Sequence, residues 1–313
     1  MYVMKTSMRF LVSGTISLLF AGMPLLAQQT PRGEPISVVV TLEPKHGKTV
    51  PPVEQQDLVV MEAKEKRPVT GFRLVGEEAK TQLLLLIDDS ARGSFDTEIA
   101  TMKQFVQSLP ASYEVAVGYM RNGMTQFTQQ FTPDHAAAAN AIRVVIGSGG
   151  ADVNPYDSLT DAIGKWPNTQ AERREVVMIS SGIEELGGGW YPDNPYVTEG
   201  IHSALKAGVV VYTIYNPSVG HSGHSYWRTT WGQNFLSELS DQTGGEFYTI
   251  GFGSPVSFQP FLEQILNLQR NQYLLTFEAR PEKKAGFQPL KVILEGKDAS
   301  VAAPQQVWVK ASM

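Results

Sequence analysis

The run TQLLLLIDDS, Thr81 to Ser90, decides how the rest of the chain is read. Five consecutive apolar residues, Leu83 to Ile87, leave no polar face. A strand tolerates that only where both sides of its sheet are covered, as in a parallel sheet. The period then changes: Phe95, Ile99, Met102, Phe105 and Leu109 recur at helical spacing, with Ser94 at the N-cap position and Pro110 at the stop. A strand feeding an amphipathic helix is one βα unit.

Downstream, Val115 to Met120 and Met124 to Phe131 read as a hairpin around Asn122-Gly123, a pair suited to the positive φ angles of a tight turn. Pro133 opens an Ala-rich helix through Ile146, and Tyr156, Leu159, Ile163 and Trp166 mark another that ends at Pro167. Three more units follow: Val176 to Ile179 with a helix around Ile201 and Leu205, Val209 to Tyr215 with a helix around Phe235 and Leu239, and Phe247 to Ile250 with a helix around Leu262 and Ile265. Short apolar strands alternating with amphipathic helices predict an α/β fold, a doubly wound, mostly parallel six-stranded sheet of Rossmann-like winding whose hairpin supplies one antiparallel edge.

Both ends of the chain are β-rich instead. Ile36, Val38, Val40 and Leu42 alternate as in a strand, and Asp57 to Ala63 suggests a second; Tyr273 to Phe277, Leu290 to Leu294 and Val307 to Val309 read as three more. The expected organisation is a signal peptide over 1–27, a linker and β segment over 28–80, the α/β domain over 81–270, and a C-terminal β segment over 271–313 that pairs with 36–76. Lys5 and Arg9 precede the apolar stretch Phe10 to Leu26, and cleavage is expected after Ala27, leaving a secreted or periplasmic protein. No later stretch is long and apolar enough for a spanning helix. The chain of 313 residues has no Cys, which excludes disulfides, thiolate metal sites and a lipidated Cys. A net charge of -5 without any basic block argues against a nucleic-acid partner.

In an open α/β sheet ligands sit beyond the carboxyl ends of the strands, so Asp88-Asp89-Ser90, Ser180-Ser181-Gly182 and Tyr215-Asn216-Pro217 are the places to search. The run Leu83 to Ser90, Tyr156-Asp157-Ser158-Leu159, Met178 to Gly182 and Leu239 to Gly245 together resemble the von Willebrand factor type A (VWA) family. With the flanking β segments and the ending Gln272 to Phe277, the resemblance is closest to the bacterial exported VWFA-related domain proteins and covers about residues 36 to 280. It implies a divalent-metal adhesion site built from Asp-x-Ser-x-Ser, a Thr and an Asp. Here Asp88 and Ser90 match, but Arg92 stands where the second Ser belongs, Val153 near the Thr position and Ser181 at the Asp position. A hard cation wants about six oxygens, carboxylates among them. The site therefore reads as degenerate, without a cofactor, Arg92 being expected to neutralise Asp88 or Asp89 in place of the cation. Mg on Asp88 and Ser90, with Asp152, Asn154, Glu184 or Glu185 as substitute ligands, is the alternative.

Enzyme motifs are weaker. Gly147 to Gly150 is not a dinucleotide fingerprint, Ser181 lacks the first Gly of a nucleophile elbow, and His221 and His224 give two nitrogens without a third ligand. A hydrolase using Ser181 or the His loop is thus the last of three readings. The first is a non-catalytic module binding a protein or glycan, and the second a metal-dependent adhesion or assembly domain. Candidate contact residues are Trp190 and Tyr191 in the loop after the fourth strand, and Tyr226, Trp227 and Trp231 in the loop after the fifth, because large rigid rings dominate binding hot spots. The competing assignment makes these rings a small core for their own loops.

Overall fold

The computed structural model describes residues 33–91, 93–147, 154–167, 171–184, 194–217, 226–251, 253 and 257–311, together with residue 1. In chain order the strands before the first helix are β1 (Pro35–Pro44), β2 (Leu58–Glu62), β3 (Glu65–Arg67), β4 (Val69–Leu74) and β5 (Thr81–Asp88). Then come α1 (Ile99–Ser108), β6 (Tyr113–Arg121), β7 (Met124–Thr132), α2 (His135–Asn140), α3 (Pro155–Gly164), β8 (Arg173–Ser180), α4 (Pro195–Ala207) and β9 (Val209–Tyr215). The remainder is α5 (Tyr226–Thr243), β10 (Phe247–Tyr248), α6 (Gln259–Gln269), β11 (Gln272–Glu278), β12 (Gly286–Leu294), β13 (Ala299–Ala302) and β14 (Gln306–Val309).

Among the described residues the central sheet runs β10-β9-β8-β5-β6-β7. All neighbours in it are parallel except β6 and β7. This is the doubly wound, mostly parallel six-stranded sheet expected from the alternation of strands and helices. Its two faces explain the unbroken apolar run of β5. Leu83, Leu85 and Ile87 enter one core with Met102, Phe105, Leu262 and Ile265. Leu84 and Leu86 enter the other with Tyr156, Leu159, Ile201, Phe235 and Leu239. The hairpin turn has φ 52° at Asn122 and 74° at Gly123, the positive pair that a two-residue connection requires.

Two helices differ from expectation. The Ala-rich helix stops at Asn140 instead of reaching Ile146. The chain beyond it is drawn onto Asp89, whose carboxylate accepts from the Ile146 N–H at 3.0 Å and whose carbonyl accepts from the Gly147 N–H at 2.9 Å. Before α1, residues 93–98 form a 3-10 turn, and the Glu98 carboxylate accepts from the Phe258 N–H at 2.8 Å, at the start of α6.

The chain ends build two smaller sheets, ordered β13-β1-β11-β4 and β14-β12-β2-β3. Val38, Val40, Leu58, Val60, Leu275, Phe277 and Val292 interdigitate between them. A fully buried polar cluster sits where β11 meets the central sheet. The Arg173 guanidinium donates to Thr81 Oγ1 at 3.0 Å, the Gln269 carbonyl at 3.0 Å, Gln272 Oε1 at 2.8 Å and the Tyr113 hydroxyl. Glu175 accepts from Gln269, and burial pushes its carboxyl above the usual range.

Candidate functional site

Strand order places the switch point of the sheet between β5 and β8, the neighbouring strands whose connections leave in opposite directions. The register pairs Ile87 with Ile179, so the next residues, Asp88 and Ser180, stand side by side at the carboxyl edge. Asp88 is buried, and three donors converge on it. Its Oδ1 accepts from the Ser90 hydroxyl at 2.6 Å and the Ser90 N–H at 3.1 Å, and its Oδ2 from the Ser180 hydroxyl at 3.0 Å. Desolvation outweighs these bonds and lifts the Asp88 pKa to about 6.

Asp89 faces away into a different arrangement. Its carboxylate takes a two-pronged ion pair from Arg143, at 2.8 Å and 3.0 Å. The guanidinium lies 3.8 Å over the Tyr119 ring. The Tyr119 hydroxyl in turn donates to the Arg143 carbonyl and accepts from the Arg143 N–H, both at 2.8 Å. Hydrogen bonding to Asp89 holds the Arg143 pKa above its ordinary value. Arg92 and Val153 lie outside the described residues, and with them the expected contact of Arg92; the described counter-ion of Asp89 is Arg143. Asp152, Glu185, Trp190, Tyr191, His221 and His224 lie outside them too.

Ser181, where the resemblance calls for a carboxylate, is buried, and its hydroxyl accepts from the Ile183 N–H at 3.4 Å. The substitute ligands Asn154 and Glu184 are also buried. Among the described residues no three His, Cys, Asp or Glu side chains converge on one point. The site offers, among the described residues, one carboxylate, Asp88, with the Ser90 and Ser180 hydroxyls beside it, fewer oxygens than the roughly six a hard divalent cation takes.

Tyr226, Trp227 and Trp231 occupy the opening turns of α5, not a loop as the sequence suggested. A helix start brings them to the site because two glycines let backbone touch backbone. A Cβ on Gly182, whose φ is +69°, would lie 2.2 Å from the Gly232 carbonyl oxygen, and one on Gly232 would lie 2.3 Å from that of Ser181. The Tyr156 hydroxyl donates to the Gly182 carbonyl at 3.1 Å from the other side. Trp231 turns inward and stacks on Phe235 at 6.0 Å, which makes it a packing residue. Tyr226 and Trp227 turn outward, 64% and 68% exposed, their rings edge to face at 5.7 Å.

No family model and no curated protein matches the chain. Solved structures do. The vWF domain of the type V pili tip protein Mfa5 from Porphyromonas gingivalis is 12% identical at a TM-score of 0.44, over 61% of this chain and 94% of that one. The conserved hypothetical protein BatB from Bacteroides thetaiotaomicron is 12% identical at 0.44, over 60% and 98%. The SpRpn10 VWA domain is 14% identical at 0.41, over 60% and 97%. The fold is VWA-like, and that assignment rests on the strand order, the antiparallel edge hairpin and the helices on both faces.

Proposed function

We propose that the chain is an exported, non-catalytic binding module that holds a protein or glycan partner against the carboxyl edge of its α/β sheet, without a metal. The observation that carries this is the exposed Tyr226–Trp227 pair, fixed beside the switch point by the Gly182–Gly232 contact. Rings with few torsions lose little entropy when covered, which is why they anchor interfaces. The form of the hydrolase reading that uses Ser181 is disfavoured because Ser180 and Ser181 are fully buried, while the His221 and His224 loop lies outside the described residues. Export rests on the charged and apolar pattern before Ala27, and no helix among the described residues is long and apolar enough to cross a membrane.

The test is capture from the native envelope and from a glycan array by the mature chain, repeated with Tyr226→Ala plus Trp227→Ala. The partner should be retained by the wild type and lost by the double variant, with a change in tryptophan emission on binding. Retention by the double variant would move the interface elsewhere. Calorimetry with Mg, Mn and Ca should give no heat; a cation that binds, and that capture requires, would favour the metal-dependent adhesion domain.

A further inference from the structure

Among the described residues the β sandwich has an open edge. β11 runs alongside β1 from Pro35 to Thr41, whereas β13 covers the other side of β1 only from Thr41 to Pro44. Among the described residues, 35–40 therefore have a strand on one side alone. The Ala279 N–H donates to the Glu34 carbonyl at 2.9 Å, and the Leu42 N–H donates to the Asn271 carbonyl at 3.0 Å. These two bonds set the phase of the ladder. Even-numbered residues bond to β11, and Ser37 and Val39 turn their N–H and C=O groups the other way. On the same outward side, further along, the Lys45 N–H meets the Asp298 carbonyl at 3.2 Å.

The free edge faces a cleft of about 520 Å³ at the amino-terminal end of the central sheet, opposite the face bearing Tyr226 and Trp227. Among the described residues four cations border it, Arg73, Arg174, Lys206 and Lys310, against two carboxylates, Glu34 and Glu172. Each carboxylate already has a cation: Arg73 pairs with Glu172, and Lys310 reaches Glu34 at 3.3 Å. The described lining of the cleft is therefore positive on balance. Trp308 adds an apolar wall, with the Lys206 ammonium 4.4 Å over its ring. Two other edges are guarded by charge or brevity, since β3 consists of Glu65, Lys66 and Arg67 and β10 has two residues, whereas the β7 edge is nine residues long and uncharged. Residues 35–40 carry no charge at all.

We propose that this edge takes an extended acidic segment of a partner protein as an added strand, by β-augmentation. Ser37 and Val39 supply the main-chain hydrogen bonds, the apolar wall takes alternate side chains, and the surplus of cations selects for Glu and Asp. Six residues at about 3.3 Å each give a docking length of about 20 Å.

The probe is a fluorescein-labelled peptide of alternating Glu and Val, titrated with the mature chain and read by anisotropy. It should bind at least about 10-fold more tightly than the Lys–Val counterpart, and Lys206→Glu should weaken it by about 5-fold, the equivalent of one charge contact. Ser37→Pro removes the cleft-facing N–H at a position where an edge strand accepts Pro, and should abolish binding while the thermal melt stays close to wild type. Should that variant fail to fold, the peptide itself decides. Methylation of one set of its alternate amide nitrogens should abolish binding and methylation of the other set should not. Equal affinity for acidic and basic peptides, or equal tolerance of both methylation patterns, would overturn the proposal. So would self-association of the chain that Ser37→Pro removes, which would make the occupant a second copy.

Discussion

Replacing Asp88 by Asn removes a charge from a site with almost no exposed surface while keeping an oxygen where Ser90 donates. Burial raises this carboxyl from 3.8 to about 6. At about 1.4 kcal/mol per pH unit, a displacement of about two units amounts to about 3 kcal/mol. The folded chain binds this proton more tightly than the unfolded one. Its contribution to stability is therefore fully present below the unfolded value and is lost as pH rises through the folded one. Asp88→Asn has no such loss. The difference in unfolding free energy, variant minus wild type, should grow in favour of the variant by about 2 kcal/mol between about pH 4.5 and about pH 7.5. A constant cost of about 1 kcal/mol is expected because the new amide nitrogen faces Ser180, which donates to Asp88 in the wild type. The slope is thus the readout, from urea melts of both proteins across that range. Parallel curves would refute the reasoning. A variant that becomes relatively weaker as pH rises would show that the Asp88 charge is stabilised, as a bound cation would do.

Other substitutions test the elements that hold the site and the sheets together. Arg173→Met strands Glu175 in the interior and should cost about 3–5 kcal/mol in urea melts, whereas Arg173→Met with Glu175→Leu should recover most of it. Arg143→Ala leaves Asp89 buried without its counter-ion and should also cost about 3–5 kcal/mol. Arg143→Lys should recover only part, since Lys lacks the planar fork and its stacking on Tyr119. Gly182→Ala adds about 1–2 kcal/mol of left-handed backbone strain and a collision with Gly232, so thermal melts should fall and tryptophan emission should change as α5 shifts.

Much of the fold is written in local pattern. The run Leu83 to Ile87 specifies a strand covered on both faces, and the structure sends its alternate residues into two different cores. Asn122-Gly123 specifies its own turn. The overlong helix after Pro133 shows where local pattern fails. Residues 141–146 extend the Ala-rich run but include four β-branched residues, and the Asp89 carboxylate and carbonyl, more than fifty positions earlier, claim the Ile146 and Gly147 N–H groups. A tertiary hydrogen-bond acceptor outweighs a propensity of a few tenths of a kcal/mol per residue. Trp231 is a second case: its sequence neighbours look like a loop, yet α5 begins at Tyr226 and is held against the chain after β8 by the approach of Gly182 to Gly232.

At the candidate site the sequence points to Asp88 and Ser90, which lie two residues apart and meet through a local turn. The third partner is a residue the resemblance does not name as a ligand. The resemblance directs attention to Ser181, yet Ser180 is the hydroxyl that reaches Asp88. The register of β5 on β8 makes this necessary, because Ile87 opposite Ile179 puts Asp88 level with Ser180, whereas Ser181, one residue on, lies beyond the last residue of β8. Aligning the two apolar runs end to end would have given the pair without a structure. Arg143 left no comparable trace. It sits in an Ala-rich stretch, and its partnership with Asp89 exists only because the chain after α2 turns back across the carboxyl edge and Tyr119 offers a ring to lie on. A charge that makes sense only through such a return is one that spacing rules cannot see.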